Sequence, residues 1–226
     1  MTKWLPPPQI DYIYHYILSG LPCSGKGEHS KILKEMIPSG IQTIEMGESF
    51  RQEIYSNTDL GRIIATDVWA GNLLSDTIAY QMFGRFAMGR HSIIDGFPRT
   101  PAQAEGYLNR VNYLNTYNFK IIPMVFNINL DPSIAIERMG YRLKACKEQN
   151  IPVRADDQLD ILQHRIELAQ TITMPALEYL RIQGIPVLEL DGTQDIKYDP
   201  DARQNRINDI QNFITSYEQR CARPSL

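Results

Sequence analysis

The sequence predicts an α/β chain in which a parallel sheet lies between two layers of helices. Three observations carry that expectation. Short β-branched and aromatic runs recur along the 226 residues, amphipathic segments with helical spacing lie between them, and the first apolar run ends in a glycine-rich turn that opens into a helix. Strands that alternate with helices are joined by crossovers, which make neighbouring strands parallel and cover both faces of the sheet. A chain of this length suits one domain, residues 1–226, with small insertions, and it can bury a full core without covalent staples.

Residues 12–18 are β-branched and aromatic and run straight into Ser19-Gly20, the pattern of a buried strand entering a turn. Residues 30–36 then show helical spacing, with Ile32, Leu33 and Met36 on one side. Further strands are expected at 43–46, 92–94, 121–128 and 186–190, and amphipathic helical stretches at 67–86 and 157–180. Residues 209–226 read as a helix followed by a polar tail, with Ile210, Phe213, Ile214 and Tyr217 turned to the core. Pro6 to Pro8 read as an extended leader.

The formal net charge is -3, so no global positive field favours nucleic acid or anionic lipid, and any basic site is local. Cys23, Cys146 and Cys221 are scattered and odd in number, which suits neither a disulfide framework nor a zinc site and fits a reducing compartment. The N-terminal residues hold no uninterrupted apolar segment of signal-peptide or membrane-spanning kind, so a cytoplasmic location is expected.

Gly20-Leu21-Pro22-Cys23-Ser24-Gly25-Lys26-Gly27 has the G-x-x-x-x-G-K spacing, after an expected strand and before an expected helix. Glycines let such a backbone turn its N–H groups onto phosphate oxygens, and the helix N-terminus adds positive potential. Lys26 would reach the β- and γ-phosphates and neutralise charge during transfer. Asp95 follows an apolar run at 92–94 and suits holding Mg²⁺ or its waters. A helix cap or a structural acceptor is the other role open to it.

Further residues narrow the reading. The loop resembles the G-x-P-G-x-G-K-G loop of adenylate kinases, and Asp95-Gly96-Phe97-Pro98-Arg99-Thr100 matches that family's D-G-F-P-R-T segment at every position. Met46-Gly47-Glu48-Ser49-Phe50-Arg51 is similar to its T-G-D-x-x-R segment. Arg138 with Arg142, and Arg154-Ala155-Asp156-Asp157 followed by Arg165, resemble its lid arginines, and Asp191-Gly192-Thr193 a late segment near the nucleotide base.

The resemblance implies a phosphate-loop kinase fold that transfers a phosphoryl group from ATP to a nucleoside monophosphate, AMP being favoured, with Mg²⁺ as cofactor. It implies a catalytic set of Lys26, Arg99, Arg138, Arg154 and Arg165. ATP would be held by Gly20, Pro22, Cys23, Ser24, Gly25, Lys26, Gly27 and Glu28 with Arg138 and Arg142. The monophosphate would be held by Met46, Gly47, Arg51, Leu74, Gly96, Arg99 and Gln103, the glutamine reading the acceptor adenine through its amide. It also implies a monophosphate-binding insertion at 47–75, a compact lid at 140–155 and a monomer. Convergent arginines suit this chemistry because planar forks grip phosphate oxygens in pairs. Asp156 and Asp157 would either orient the lid arginines or cap the following helix.

Three departures from the family pattern matter. Cys23 stands where a glycine is usual, Glu28 and His29 where a threonine and a glutamine are, and Met46 where a threonine contacts the acceptor base. Glu28 is expected to turn away from the phosphates, since a carboxylate ~4 Å from a phosphate charge would cost about 4 kcal/mol at an effective dielectric near 20. These departures keep two alternatives open: a nucleotide-binding relative impaired in catalysis, and a kinase for UMP or CMP.

Overall fold

The computed structural model describes residues 12–37, 40–117 and 119–221, with residue 221 described by its backbone alone. The leader at Pro6 to Pro8, the Cys221 side chain and the tail at 222–226 lie outside the described residues. Five strands form one parallel sheet in the order β2-β3-β1-β4-β5: β1 (Tyr12–Gly20), β2 (Gln42–Glu45), β3 (Ser92–Asp95), β4 (Lys120–Asn129) and β5 (Val187–Asp191). The helices are α1 (Lys26–Met36), α2 (Met46–Tyr55), α3 (Asp59–Ala70), α4 (Asp76–Phe83), α5 (Pro101–Asn115), α6 (Pro132–Glu148), α7 (Leu159–Leu168), α8 (Met174–Ile182) and α9 (Pro200–Cys221).

Side-chain alternation along the central strand builds both layers. Tyr14, Tyr16 and Leu18 of β1 pack in one core with Ile32 and Leu33 of α1 and with Ile210 and Ile214 of α9. Ile13 and Ile17, on the opposite face, join a second core with α2 to α5 and α8. Strand β4 divides in the same way, Phe126 meeting the Phe213 ring of α9 edge-on at 5.7 Å. Connections from β1 and β3, which are neighbours, leave toward opposite edges of the sheet. The crevice beyond their carboxyl ends is where such sheets place ligands.

The expected helical stretch at 67–86 is two helices. Gly71 takes a left-handed φ of 77° after α3, and Ser75 caps α4 by accepting the Ile78 N–H. The stretch at 157–180 is nearly continuous: a π-helical turn, Ala169–Thr173, joins α7 to α8. Pro175 has no N–H to offer the carbonyl of Thr171, and the turn before it widens. Helix α6 runs through to Glu148, so residues 140–148 of the expected lid are helical and 149–158 form the link to α7. No described helix is long and apolar enough to cross a membrane.

Two buried histidines tie elements together, and their partners fix their protons. His15 of β1 meets the Met88 carbonyl with Nε2 at 3.0 Å and the Tyr107 hydroxyl with Nδ1 at 2.8 Å. Nε2 therefore carries the hydrogen. His29 of α1 donates from Nδ1 to the Gly25 carbonyl (2.9 Å) and accepts at Nε2 from Arg206 of α9 (3.0 Å), which also donates to the Asp191 carbonyl. Burial pulls both imidazoles down to about 4. A histidine depressed from about 6.5 stabilises the fold fully above that pH and loses its contribution as pH falls toward the folded value. His29→Gln keeps both hydrogen bonds without titrating. Denaturant titrations between pH 7.5 and 4.5 should show this variant losing about 2 kcal/mol less stability than the parent.

Candidate active site

The phosphate loop is shaped by backbone sterics. Gly20 has φ 136°, and a Cβ there would lie 2.5 Å from the Ile128 carbonyl oxygen, so only glycine fits where β1 turns beside β4. Cys23 adopts a left-handed φ of 61°, a conformation that costs a non-glycine residue about 1 kcal/mol. Its half-buried thiol is pushed up by desolvation, with Arg142, Arg165 and Lys26 opposing. Glu28 turns to Lys31, 2.8 Å away on the same helix. Its charge is thus partly met before any phosphate arrives.

A cavity of about 160 Å³ opens at the strand ends, with Lys26, Arg51, Arg99, Arg154 and Arg165 among its lining residues and Glu45, Glu48 and Asp95 as the acidic ones. Lys26 Nζ donates to the carbonyls of Gly20 (3.0 Å) and Leu21 (2.8 Å), and burial lowers its proton affinity while Asp95 raises it. Arg99 donates from Nε to the Gly96 carbonyl at 3.1 Å; burial and then the Arg165 charge lower its affinity for its proton. Such strain among like charges is what an incoming phosphate relieves.

A smaller cavity of about 70 Å³ adjoins the first. Met46, Leu74 and Gln103 line it, and Gly47, Arg51, Gly96, Arg99 and Arg165 are shared between the two. Asp156, only 4% exposed, stands 3.0 Å from Arg165 and 3.7 Å from Arg51. Asp157 pairs with Arg142. These two aspartates therefore serve the arginines, and the cap of α7 falls to Gln158. Arg138 lies over the outside of the phosphate loop, 3.5 Å from the carbonyls of Cys23 and Ser24 and 3.4 Å from that of Thr193.

The sequence-expected residues thus gather around one crevice in two tiers. Gly20, Pro22 and Lys26 line it together with Asp95 and the arginines named above; Cys23, Ser24, Gly25, Gly27, Glu28, Arg138 and Arg142 do not line it. Sequence reasoning missed three contributors. Gly71 brings the end of α3 against Arg165, whose Cγ would meet a Cβ there at 2.8 Å. Asp76 bonds Gln103, and Arg206 holds His29. The glycine before a capping serine was a visible turn signal, whereas the other two pairings cross 27 and 177 residues and left no local trace.

A family model described as adenylate kinase matches residues 18–185. The chain belongs to the adenylate kinase family. It is 30% identical over 199 residues to an adenylate kinase of Azobacteroides pseudotrichonymphae genomovar. CFP2, covering 86% of this chain and 96% of that protein. It is likewise 30% identical to adenylate kinases of Stenotrophomonas maltophilia (strain K279a), over 80% of this chain and 91% of that one, and of Geobacillus sp. (strain WCH70), over 80% and 92%. As a member of the adenylate kinase family the chain is a nucleoside monophosphate kinase, a phosphotransferase.

Asp156 is the buried counter-charge that holds Arg165 and Arg51 together. Replacing it with alanine leaves two cations facing each other in a largely buried site, so urea denaturation of Asp156→Ala should show a loss of about 3 kcal/mol. Glu48→Ala removes a 40% exposed partner of the same Arg51 and should cost under about 1 kcal/mol.

Proposed function

We propose that this adenylate kinase family member transfers the γ-phosphoryl group of ATP to AMP, giving two molecules of ADP. The observation that carries the reading is the pair of adjoining cavities that share Arg51, Arg99 and Arg165. Two nucleotides laid end to end would bring their phosphates to those shared guanidiniums. The donor phosphates would sit on the loop N–H groups and Lys26, its base side toward Arg138, Arg142 and the turn at Asp191-Gly192-Thr193. The acceptor would enter the smaller cavity, its phosphate on Arg51 and Arg99 and its base against Met46, Leu74 and Gln103.

An acceptor phosphate oxygen attacks the γ-phosphorus as the bond to the β–γ bridging oxygen breaks, and the electron pair departs on ADP. Charge spreads over the transferring oxygens, and catalysis consists mainly of positioning and neutralisation. Lys26, Arg99 and Arg165 converge on that point. Arg154, exposed on the 149–158 link, closes over it and excludes water that would otherwise accept the phosphoryl group; the adenylate kinase lid is itself a standard instance of such closure.

Members of the family are generally Mg²⁺-dependent. The Asp95 carboxylate fits that need: it lines the phosphate cavity and, among the described residues, accepts no hydrogen bond and closes no ion pair. A single hard oxygen donor suits Mg²⁺ held through water and phosphate. Held there by Asp95, the ion would supply positive charge that lowers the repulsion the attacking oxygen meets.

The test is a coupled assay of ADP formation with Mg-ATP and each of AMP, CMP, UMP and GMP. Turnover with AMP, reduced at least about 100-fold in Lys26→Met, is the expected result. Equal rates for the parent and Lys26→Met would sink the assigned mechanism. Glu28→Thr should alter the rate by less than about tenfold, because Lys31 already meets that carboxylate.

A further inference from the structure

Gln103 sits 3% exposed in the wall of the smaller cavity, and both ends of its amide are committed. Oε1 accepts the Arg99 backbone N–H at 2.8 Å, and Nε2 donates to Asp76 Oδ1 at 2.9 Å. The same Oδ1 accepts the Thr100 hydroxyl at 2.9 Å, and that hydroxyl oxygen takes the Gln103 backbone N–H at 3.0 Å.

Which way round an amide lies is ordinarily ambiguous, because its oxygen and nitrogen are alike in shape. Here the partners decide it. A carboxylate has no hydrogen to give and a peptide N–H has no lone pair, so rotating the amide by half a turn would set like against like at both ends. With these two bonds made, the amide keeps one N–H and one carbonyl lone pair for a ligand.

We propose that Asp76 is a positioning residue for acceptor specificity: by fixing the polarity of the Gln103 amide, it selects nucleobases with an exocyclic amino group beside a ring-nitrogen acceptor and rejects their oxo counterparts. Adenine offers that pair at N1 and N6, and cytosine at N3 and N4. Hypoxanthine, guanine and uracil present a ring N–H beside a carbonyl, which is the reverse pattern. The other charged side chains lining the smaller cavity, Asp156 with Arg51 and Arg165, are paired with one another, and Arg99 is placed on the acceptor phosphate. Met46 brings no hydrogen-bonding group, its neighbours Phe50, Val68, Leu74 and Ala79 are apolar, and the Asn72 amide is engaged by Asp67 and His164.

This inference rests on the reading that the smaller cavity takes the acceptor base, and the experiment separates the two. AMP and IMP have nearly the same shape and differ in the amino-to-oxo exchange, so the ratio of their kcat/KM values reads amide polarity alone. The parent protein should prefer AMP by about 100-fold. Asp76→Ala frees one end of the amide and should cut that preference about tenfold, mainly through a higher KM for AMP. Asp76→Asn keeps an acceptor oxygen and should restore it. A merely structural Asp76 would slow both nucleotides in parallel and leave the ratio intact, and that outcome overturns the proposal. So does a parent that prefers IMP, which leaves the kinase reading standing. If no monophosphate is turned over, the kinase reading falls and the same ratio is taken from the Kd values of AMP and IMP by calorimetry; equal Kd values, or no binding of either, overturn the inference too.

Discussion

Like charges brought together by the fold are the constraint on which the site depends. Lys26 enters from α1, Arg51 from α2, Arg99 from the segment after β3 and Arg165 from α7, so four separate elements deliver cations to one crevice. Their mutual repulsion and desolvation are offset by few carboxylates: Asp156 between Arg51 and Arg165, Glu48 on Arg51, and Asp95 near Lys26 and Arg99. The sheet makes this tolerable. Its parallel strands end together, and the phosphate loop after β1 and the 95–99 segment after β3 face each other across the point where the crossovers diverge.

The phosphate loop shows how altered positions can be absorbed by neighbours. Glu28, which would repel phosphates, is drawn to Lys31 one turn along the helix. His29 replaces a flexible amide with a ring, yet it keeps one donor on Gly25 and one acceptor for Arg206. Through His29 and Arg206 the loop is tied to α9 and to the turn at Asp191 by a buried link. Cys23 holds its left-handed backbone with a neutral thiol, at a cost borne by the surrounding packing.

The layered parallel sheet was legible because strand and helix periods alternate along the chain, and the loop was legible because glycines and a lysine at fixed spacing serve one chemistry. Arg99 and Arg165 could be named from the resemblance alone. What escaped were relations between distant positions. Nothing near Asp76 announces that its carboxylate orients an amide 27 residues later. His29 was visible as a departure, but its partner lies 177 residues on, in a helix whose apolar stripe reveals only packing. The break at Gly71 and the continuation of α6 through 148 turned on local capping and on helix propensity, which periodicity averages over.

The central claim is that the crevice is a single anion site spanning both cavities, completed electrostatically by two nucleotides' phosphates. Calorimetry with a bisubstrate analogue, two adenosines joined by a chain of phosphates, tests this most directly, run at low and high salt on the parent and on Arg99→Met. The account predicts one-to-one binding that weakens as salt rises and falls at least about tenfold in Arg99→Met. Binding indifferent to salt and to Arg99, or no binding at all, would contradict it.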